Sequence, residues 1–548
     1  MNRPIMIVGA TGVFGSRLLE QLVHTGFANF ILAGRNQQKA KSQLESLQRH
    51  NINAMFLKFD RGNPDVAVLK NLNPHIIIDA AGPFQNSSLI LAEAAIAAKI
   101  NYIDLSDARD FVARIPSLND RALAAGVAVI SGASSTPAIS HAVLDHITNG
   151  WQRIDQILVA IAPGNRAPRG LSVITAILAG IGEPIAFFTA GRLSQFPGWS
   201  LNEKIEIPGV GLRNVALCET PDLDFLVSHY HPKISAEFKA GLELGIMHNF
   251  LRVLSILRAR KLIPNIAPMA RVTQKAAQLL YPFGTDQGGM VVRVSGQNQN
   301  RTPTQATWSL VAKGGVGPNI PCLPALILCK RQALQLGAYT AGTIRFDEIT
   351  TEFNRLRIIS QTLVEEFVEP QVFKRALGCK AFCRLPAITQ FVHTLNPTVK
   401  LSGRAHIRGA ETWAGRLIAK LFAFPKSDPD ALVQVVITRC RNGENWQRHY
   451  PDRTMHSVIG LVDEAKNLIE ERLGQFRFQM KLVSDENGLD MKMQSGRLVG
   501  FRIPRFLLPT IFATERASPD GKHIFDVHIC HTLVGRLVHY QGWLKPDI

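Results

Sequence analysis

The sequence predicts an α/β chain with a doubly wound parallel sheet at its N-terminus, an α+β domain in the middle and an antiparallel β-rich domain at its C-terminus. Three observations carry that expectation. Four apolar residues, Ile5-Met-Ile-Val8, run into glycines at 9, 12 and 15 and then into helical periodicity over 16–24. Short apolar runs then alternate with amphipathic ones as far as residue 130, the pattern of repeated β-α-β crossovers. Beyond residue 430 the period changes to two, with turn residues between the runs, as in antiparallel strands.

A chain of 548 residues is too long for one core. The changes of pattern place domains at 1–150, 151–370 and 371–548, with Glu369-Pro370 at the second boundary. With 46% hydrophobic and only 19% charged residues, the chain is not a disordered one. The net charge of +18 is uneven: 1–150 carry 13 Lys+Arg against 11 Asp+Glu, 151–370 carry 22 against 16, and 371–548 carry 26 against 16. The excess lies outside the first domain and concerns a membrane surface, a partner or an anionic substrate. Seven scattered cysteines suit reduced thiols, and Cys379 and Cys383, the one close pair, lack the partners of a metal finger, so no metal is expected. The first apolar run ends in the glycines, and the stretch 171–190 is broken by Gly180, Gly182, Glu183 and Pro184. Neither a secretory signal nor a membrane span is read, and a cytoplasmic location is expected, with peripheral contact at the inner membrane face left open by the basic excess.

Taken in order, the glycine segment follows a strand and opens a helix. Gly9 allows the tight turn, Gly12 lets backbone approach a pyrophosphate, and Gly15 lets helix pack on strand, while Thr11, Val13 and Phe14 complete the loop. This is the dinucleotide-binding signature of a Rossmann domain. The second strand, 29–33, ends in Gly34-Arg35-Asn36. A carboxylate for the ribose hydroxyls is expected there in a cofactor site without a 2′-phosphate. Arg35 in its place favours NADP(H), the alternative being a solvated loop charge. A helix over 37–50 and a strand over 54–59 lead to Asp60, placed to approach the adenine, and strand 75–79 leads to Ala80-Ala81-Gly82-Pro83-Phe84, where the nicotinamide end crosses the sheet edge. A strand at 101–104, a helix at 118–125 and a strand at 127–130 complete the alternation, and Ser131-Gly-Ala-Ser-Ser-Thr-Pro137 opens a further helix.

These motifs, Gly9-Ala-Thr-Gly-x-x-Gly15, Gly34-Arg35, Ala81-Gly-Pro-Phe84, Tyr102-Ile-Asp-Leu-Ser106 and Gly132-x-x-Ser135-x-Pro137, resemble in order the NADP-binding domain of the saccharopine dehydrogenase-like oxidoreductases. The resemblance covers residues 1 to about 140. It implies hydride transfer between NADP(H) and a C=O, C=N or C=C group, on a lipid-like or polyketide-like substrate or an amino-acid-derived imine. Ala133 and Ser134 depart from the aromatic and acidic residues common in the family's last motif. The Tyr and Lys four residues apart that short-chain dehydrogenases use are absent at all six tyrosines. Proton transfer then falls to another group, and Asp104, Ser106, Asp107, His141 and Tyr102 lie in or beside loops at the cofactor end. The competing reading is a protein that binds NADP without turning it over, as a redox-sensing or lipid-binding scaffold.

In the middle domain, Arg166 and Arg169 sit in a Gly/Pro-rich loop that presents two guanidinium groups to a carboxylate or phosphate, or is simply surface. Residues 290–296 and 305–312 alternate as a β-hairpin, and 314–324 enter an apolar helix. Segment 248–261 mixes apolar and basic residues, as a packed helix or a membrane-surface helix would. From 373 on, the chain resembles an uncharacterised domain found behind this dehydrogenase module in bacterial proteins, including Gly403-Arg-Ala and His539-Tyr-Gln-Gly-Trp-Leu544. Period-two runs at 433–438, 476–482, 489–493, 511–515 and 524–529, with turns at 485–488 and 518–521, predict an antiparallel sheet. Such a sheet suits an apolar ligand, a homodimer contact or docking, and no nucleic-acid motif accompanies its basic charge.

Overall fold

The computed structural model describes residues 3–168, 170–189, 191–366, 372–393, 398–440, 443–451 and 453–546. Two compact units divide the chain, residues 1–295 with 305–364 and residues 296–304 with 365–548.

In the first unit the apolar runs form β1 (Ile5–Val8), β2 (Asn29–Gly34), β3 (Asn53–Lys58), β4 (Ile76–Asp79), β5 (Asn101–Asp104) and β6 (Ala128–Ser131). A second group comprises β7 (Arg153–Ala162), β8 (Pro184–Thr189), β9 (Arg192–Pro197), β10 (Glu203–Ile207), β11 (Gly211–Leu217), β12 (Ser235–Leu242), β13 (Gly288–Gln297) and β14 (Pro303–Ala312). β15 (Gly337–Thr340) and β16 (Ile359–Glu366) complete the unit. The first sheet has the order β15-β6-β5-β4-β1-β2-β3, and its neighbours are all parallel. Both faces are covered, so its strands read as unbroken apolar runs: Ile5, Met6, Ile7 and Val8 are at most 2% exposed. The helix Val13–His24 lays Leu18, Leu19 and Leu22 on this sheet. β15 was not legible in advance. It is a four-residue strand, Gly-Ala-Tyr-Thr, that pairs with β6 from some 200 residues downstream, so segment 1–150 does not hold the whole sheet.

The mixed sheet runs β10-β11-β12-β7-β13-β14-β16, with β8 attached to β12 and β9 to β8. The predicted hairpin is β13 and β14, the 171–190 stretch divides into the helix Leu171–Gly180 and β8, and the apolar-basic segment lies in the helix Gly245–Ala259.

The second unit contains β17 (Thr398–Arg408), β18 (Asp428–Cys440), β19 (Gly443–Tyr450), β20 (Arg453–Asp463), β21 (Leu468–Leu473), β22 (Phe476–Asp485), β23 (Gly488–Leu498), β24 (Phe501–Arg502), β25 (Thr510–Ala517), β26 (His523–His531) and β27 (Gly535–Pro546). Each pairs antiparallel with the next in the order β22-β21-β20-β19-β18-β17-β27-β26-β25-β23, and β22 pairs with β23 over the whole length of their hairpin. The sheet therefore closes as a ten-stranded antiparallel barrel, with β24 an appendage of β23. Closure removes the exposed edges of an open sheet. All five predicted runs fall within these strands, and both predicted turns join neighbours. Gly403 is required by the seam between β17 and β27, where a Cβ would lie 1.8 Å from the Trp543 carbonyl oxygen. The proposed boundary at Glu369-Pro370 lies outside the described residues.

Candidate functional site

The doubly wound order reverses at β1 and β4, and a crevice at the carboxyl ends of the strands follows from that reversal. Gly9 leaves β1 with φ +80°, and a Cβ there would lie 2.9 Å from the backbone of Ala81. At Gly15 a Cβ would lie 2.2 Å from the Gly9 carbonyl oxygen. Both positions require glycine, and the loop they make delivers the chain into the helix Val13–His24. No side chain caps that helix at Gly12, which leaves its first N–H groups for a ligand. Thr11 and Gly12 are exposed, and Val13 and Phe14 are half-buried. The residues therefore fit a dinucleotide phosphate without rearrangement of side chains.

Around this loop the structure gathers the other predicted cofactor residues. Gly82 and Pro83 are exposed beside Gly9's neighbour Ala81. Arg35 is exposed just beyond β2, where Asn36 caps the following helix by accepting from the Lys39 N–H. Asp60 is exposed just beyond β3, with one oxygen accepting from the Gly62 N–H at 2.9 Å.

Arg61, its neighbour, had no sequence signal and organises the crossing loop. Its guanidinium donates to the Ala81 carbonyl at 2.8 Å, pairs with Asp79 at 2.9 Å and lies 4.6 Å from the centre of the Phe84 ring. Asp79 accepts in turn from the Ala81 N–H at 3.0 Å. Burial raises the Asp79 carboxyl above its ordinary range, and Arg61 pulls the other way.

The proton-donor candidates separate by place. Asp104 is fully buried, and its Oδ1 accepts from the Ser131 hydroxyl at 2.8 Å and from the Ser106 and Gly132 N–H groups at 3.0 Å. It ties β5 to the loop after β6. Burial pushes its carboxyl up to about 7. Ser106 is fully buried and accepts from the Ala108 N–H. Tyr102 is fully buried with its hydroxyl 3.4 Å from Asp79. His141 packs between Phe225 and Tyr230, with ring centres 5.9 and 5.7 Å away, and burial lowers it to about 4. None of these four lines the neighbouring cavity.

Asp107 does. It lines a cavity of about 390 Å³ between the first sheet's carboxyl edge and the mixed sheet, together with Phe14, Pro83, Phe84, Trp199 and Phe238. Its surface is open to the cavity while protein encloses it, and that enclosure raises its carboxyl, with the Gln85 side chain partly offsetting the shift. Cys218 lies in the same lining, and burial, with the nearby Asp107 and Glu219 charges, pushes its thiol up to about 12. It is a neutral thiol, not a nucleophile. Arg109, also in the lining, is held by Asp224 and by the Ala186 carbonyl at 2.7 Å. Arg166 is exposed outside the lining and donates to the Pro282 carbonyl at 3.1 Å, and Arg169 lies outside the described residues. Among the described residues no group of three His, Cys, Asp or Glu side chains is arranged to hold a metal ion, and no helix is long and apolar enough to cross a membrane.

Residues 5–130 match the family model of the saccharopine dehydrogenase NADP binding domain, and residues 385–544 match a domain of unknown function, DUF4166. No curated protein matches the chain. Among solved structures, the chain is similar to apo saccharopine dehydrogenase (L-Glu forming) from Saccharomyces cerevisiae, at 12% identity and TM-score 0.50, over 66% of this chain and 100% of that one. That likeness shows a shared fold. Weaker matches include GenD2 from gentamicin A biosynthesis in complex with NAD, at 12% identity and TM-score 0.28, over 56% of this chain and 73% of that one. Another is the WlbA dehydrogenase from Thermus thermophilus, at 10% identity and TM-score 0.26, over 44% of this chain and 72% of that one. The chain thus carries an N-terminal domain that matches the saccharopine dehydrogenase NADP binding domain, within a fold shared with saccharopine dehydrogenase, and a C-terminal barrel that matches a domain of unknown function.

Proposed function

We propose that the protein is an NADP(H)-dependent oxidoreductase acting on a C=O, C=N or C=C group of an apolar, lipid-like substrate, with Asp107 moving the proton. The observation that carries this reading is Asp107, a carboxyl raised by its surroundings, at a largely apolar cavity at the nicotinamide end of the sheet whose other carboxyls are Glu219, beside Arg109, and Asp286, which accepts from the Gly315 N–H. A bound nicotinamide supplies the hydride. The glycine loop and the helix Val13–His24 bind its phosphates, Arg35 pairs with a 2′-phosphate, and Arg61 fixes the loop against which the ring end lies. Asp107, its carboxyl raised by its surroundings, gives a proton to the atom opposite the hydride in the reduction direction.

The substrate's apolar character has support on the surface. A second cavity of about 520 Å³ shares Ala167, Pro168, Ile177 and Leu242 with the first. It opens beside the helices Gly245–Ala259 and Ala270–Leu279, which expose Ile246, Phe250, Val253, Ile256, Val272 and Leu279. Residues 244–285 hold six Lys or Arg and no Asp or Glu. An apolar face ringed by cations fits an anionic bilayer, from which a lipid-like substrate enters. Full-length protein should co-sediment with phosphatidylglycerol vesicles more than with phosphatidylcholine ones, and Phe250→Asp should abolish this. Equal sedimentation of the variant removes the membrane contact, and dimer dissociation in the variant assigns the face to a second copy.

The cofactor reading is tested by NADPH fluorescence titration. Arg35→Ala should weaken NADPH binding about 10- to 100-fold, the loss of one charge-assisted phosphate contact, and leave NADH unchanged. Equal losses for both remove the 2′-phosphate contact. NADPH bound but never oxidised across acyl, aldehyde and imine substrates would favour the scaffold reading.

A further inference from the structure

The barrel has polar groups inside it as well as apolar ones. Its interior holds a cavity of about 110 Å³ whose wall is mostly Val, Ile, Met and Phe side chains, interrupted by Arg448, Tyr450, Glu471, Glu515, His523 and Tyr540. One end is filled from the helix Val372–Leu377, whose Phe373 is fully buried, lines the cavity and lies with its ring centre 3.8 Å from that of His393.

The interior charges are matched. Arg448 reaches Glu471 at 3.3 Å and donates to the Ser457 hydroxyl at 2.9 Å. Glu515 meets His393 at 2.7 Å and His523 at 3.7 Å. Among the described residues that line the space, each charge has a partner, so none is left unpaired to recruit an ion. The two phenols differ from these groups. Tyr450 and Tyr540 are each 6% exposed, their rings are 6.2 Å apart, and neither hydroxyl has a hydrogen-bond partner among the described residues. Neither hydroxyl oxygen is among the fully enclosed unpartnered atoms, so both open on the cavity they line, and two unpaired donors facing one cavity point to an acceptor that belongs there. Burial holds both phenols protonated at neutral pH, Tyr540 up to about 12, so each is a donor.

We infer that the C-terminal barrel is a binding site for a neutral, mainly apolar molecule carrying a carbonyl oxygen, a ketone, aldehyde or ester, hydrogen-bonded inside by the hydroxyls of Tyr450 and Tyr540. Matched charges disfavour a carboxylate, and the wall takes the hydrocarbon part. A cavity of this size accepts one ring or a short chain segment, as a dry cavity of similar scale takes benzene.

The test uses the full chain and three ligands with one ring, 4-fluoroacetophenone, fluorobenzene and 4-fluorobenzoate, followed by fluorine NMR. The ketone should bind saturably, about tenfold tighter than fluorobenzene and tighter than the benzoate. In Tyr450→Phe/Tyr540→Phe, which keeps shape and removes the donors, ketone affinity should fall to the fluorobenzene level while fluorobenzene is unchanged. Ala513→Leu fills the space, since Ala513 is 5% exposed and part of the wall, and should remove both signals. Unchanged NADPH binding and a retained barrel melting transition check that the variants fold, and the tyrosine pair decides alone if Ala513→Leu does not. Absence of saturable binding, unchanged ketone affinity in the tyrosine variant, or a benzoate tighter than the ketone would each overturn the inference. Binding elsewhere in the chain, including the cavity of the first unit, would persist in both variants and overturn it as well.

Discussion

Asp104 in the nucleotide-binding sheet and Glu515 in the barrel are both buried carboxyls, 0% and 5% exposed, yet the first sits near 7 and the second near 2. Burial raises both. At Asp104 only neutral donors, two backbone N–H groups and a serine hydroxyl, oppose it. At Glu515 the charges of His393 and His523 outweigh it. At Glu515 two cations outweigh burial, at Asp104 no cation opposes it, and at Asp79 the single Arg61 guanidinium does not overcome it. Around the first unit's cavity Asp107 is also raised, which suits proton transfer. In the barrel Glu515 is a fixed charge, while Glu444, buried near His393 and Arg439, is raised.

The comparison breaks first at Asp107. Asp107→Asn should lower turnover about 10²- to 10⁴-fold, the usual range for a general acid, with NADPH binding unchanged. In the reduction direction the wild-type rate should fall as pH rises through the raised pKa, and the variant should lose that limb. A variant with full activity, or one that keeps the limb, removes Asp107 from the reaction.

Next in size is Glu515→Ala, which leaves His393 buried without its carboxylate. Breaking a buried pair costs about 3–5 kcal/mol, and calorimetry should show it in the transition that NADPH does not shift. The native pair should also mark its own pH window. His393 is raised, since Glu515 outweighs the effect of burial, so its contribution is complete below pH 6.5 and is lost as pH rises through its folded value. Glu515 is depressed, so its contribution is complete above pH 4.5 and is lost as pH falls toward 2. A barrel transition indifferent to both limits would place the pair outside the barrel's stability.

What the sequence revealed follows from what is local. The loop at 9–15, the strand ends at Arg35 and Asp60 and the turns at 485–488 and 518–521 depend on neighbours a few residues away, and all are found in that setting. β15 and the barrel seam at Gly403 depend on partners 200 and 140 residues off, and no periodicity reports them. Arg61 carries no sequence signal because its partners, Asp79 and Ala81, lie at and just beyond the end of β4, which the sheet order separates from β3 by β1 and β2. Among five loop candidates for proton transfer, sequence did not distinguish Asp107 from Asp104. They are three residues apart, and only packing turns one into the cavity and the other under the sheet edge.

That pair supports the smallest expected effect. A carboxyl whose folded value is raised to about 7, as at Asp104 and at Asp222, holds its proton in the folded state after the unfolded chain has released it. Between about pH 4 and pH 7 the folded state therefore binds more protons, and stability falls as pH rises, reaching its floor above 7. Asp222 shares the cause, burial, opposed only by the Ser140 hydroxyl at 3.0 Å. Asp104→Asn keeps an oxygen for the Ser131, Ser106 and Gly132 donors and removes the ionisation. It should flatten the decline of the NADPH-shifted transition by at most about 4 kcal/mol across that window and leave the barrel transition unmoved. The double variant with Asp222→Asn should flatten it further. A decline as steep as wild type would mean that Asp104 is ionised in the folded protein and that its three donors suffice without a cation, and the contrast with Glu515 would then be one of degree.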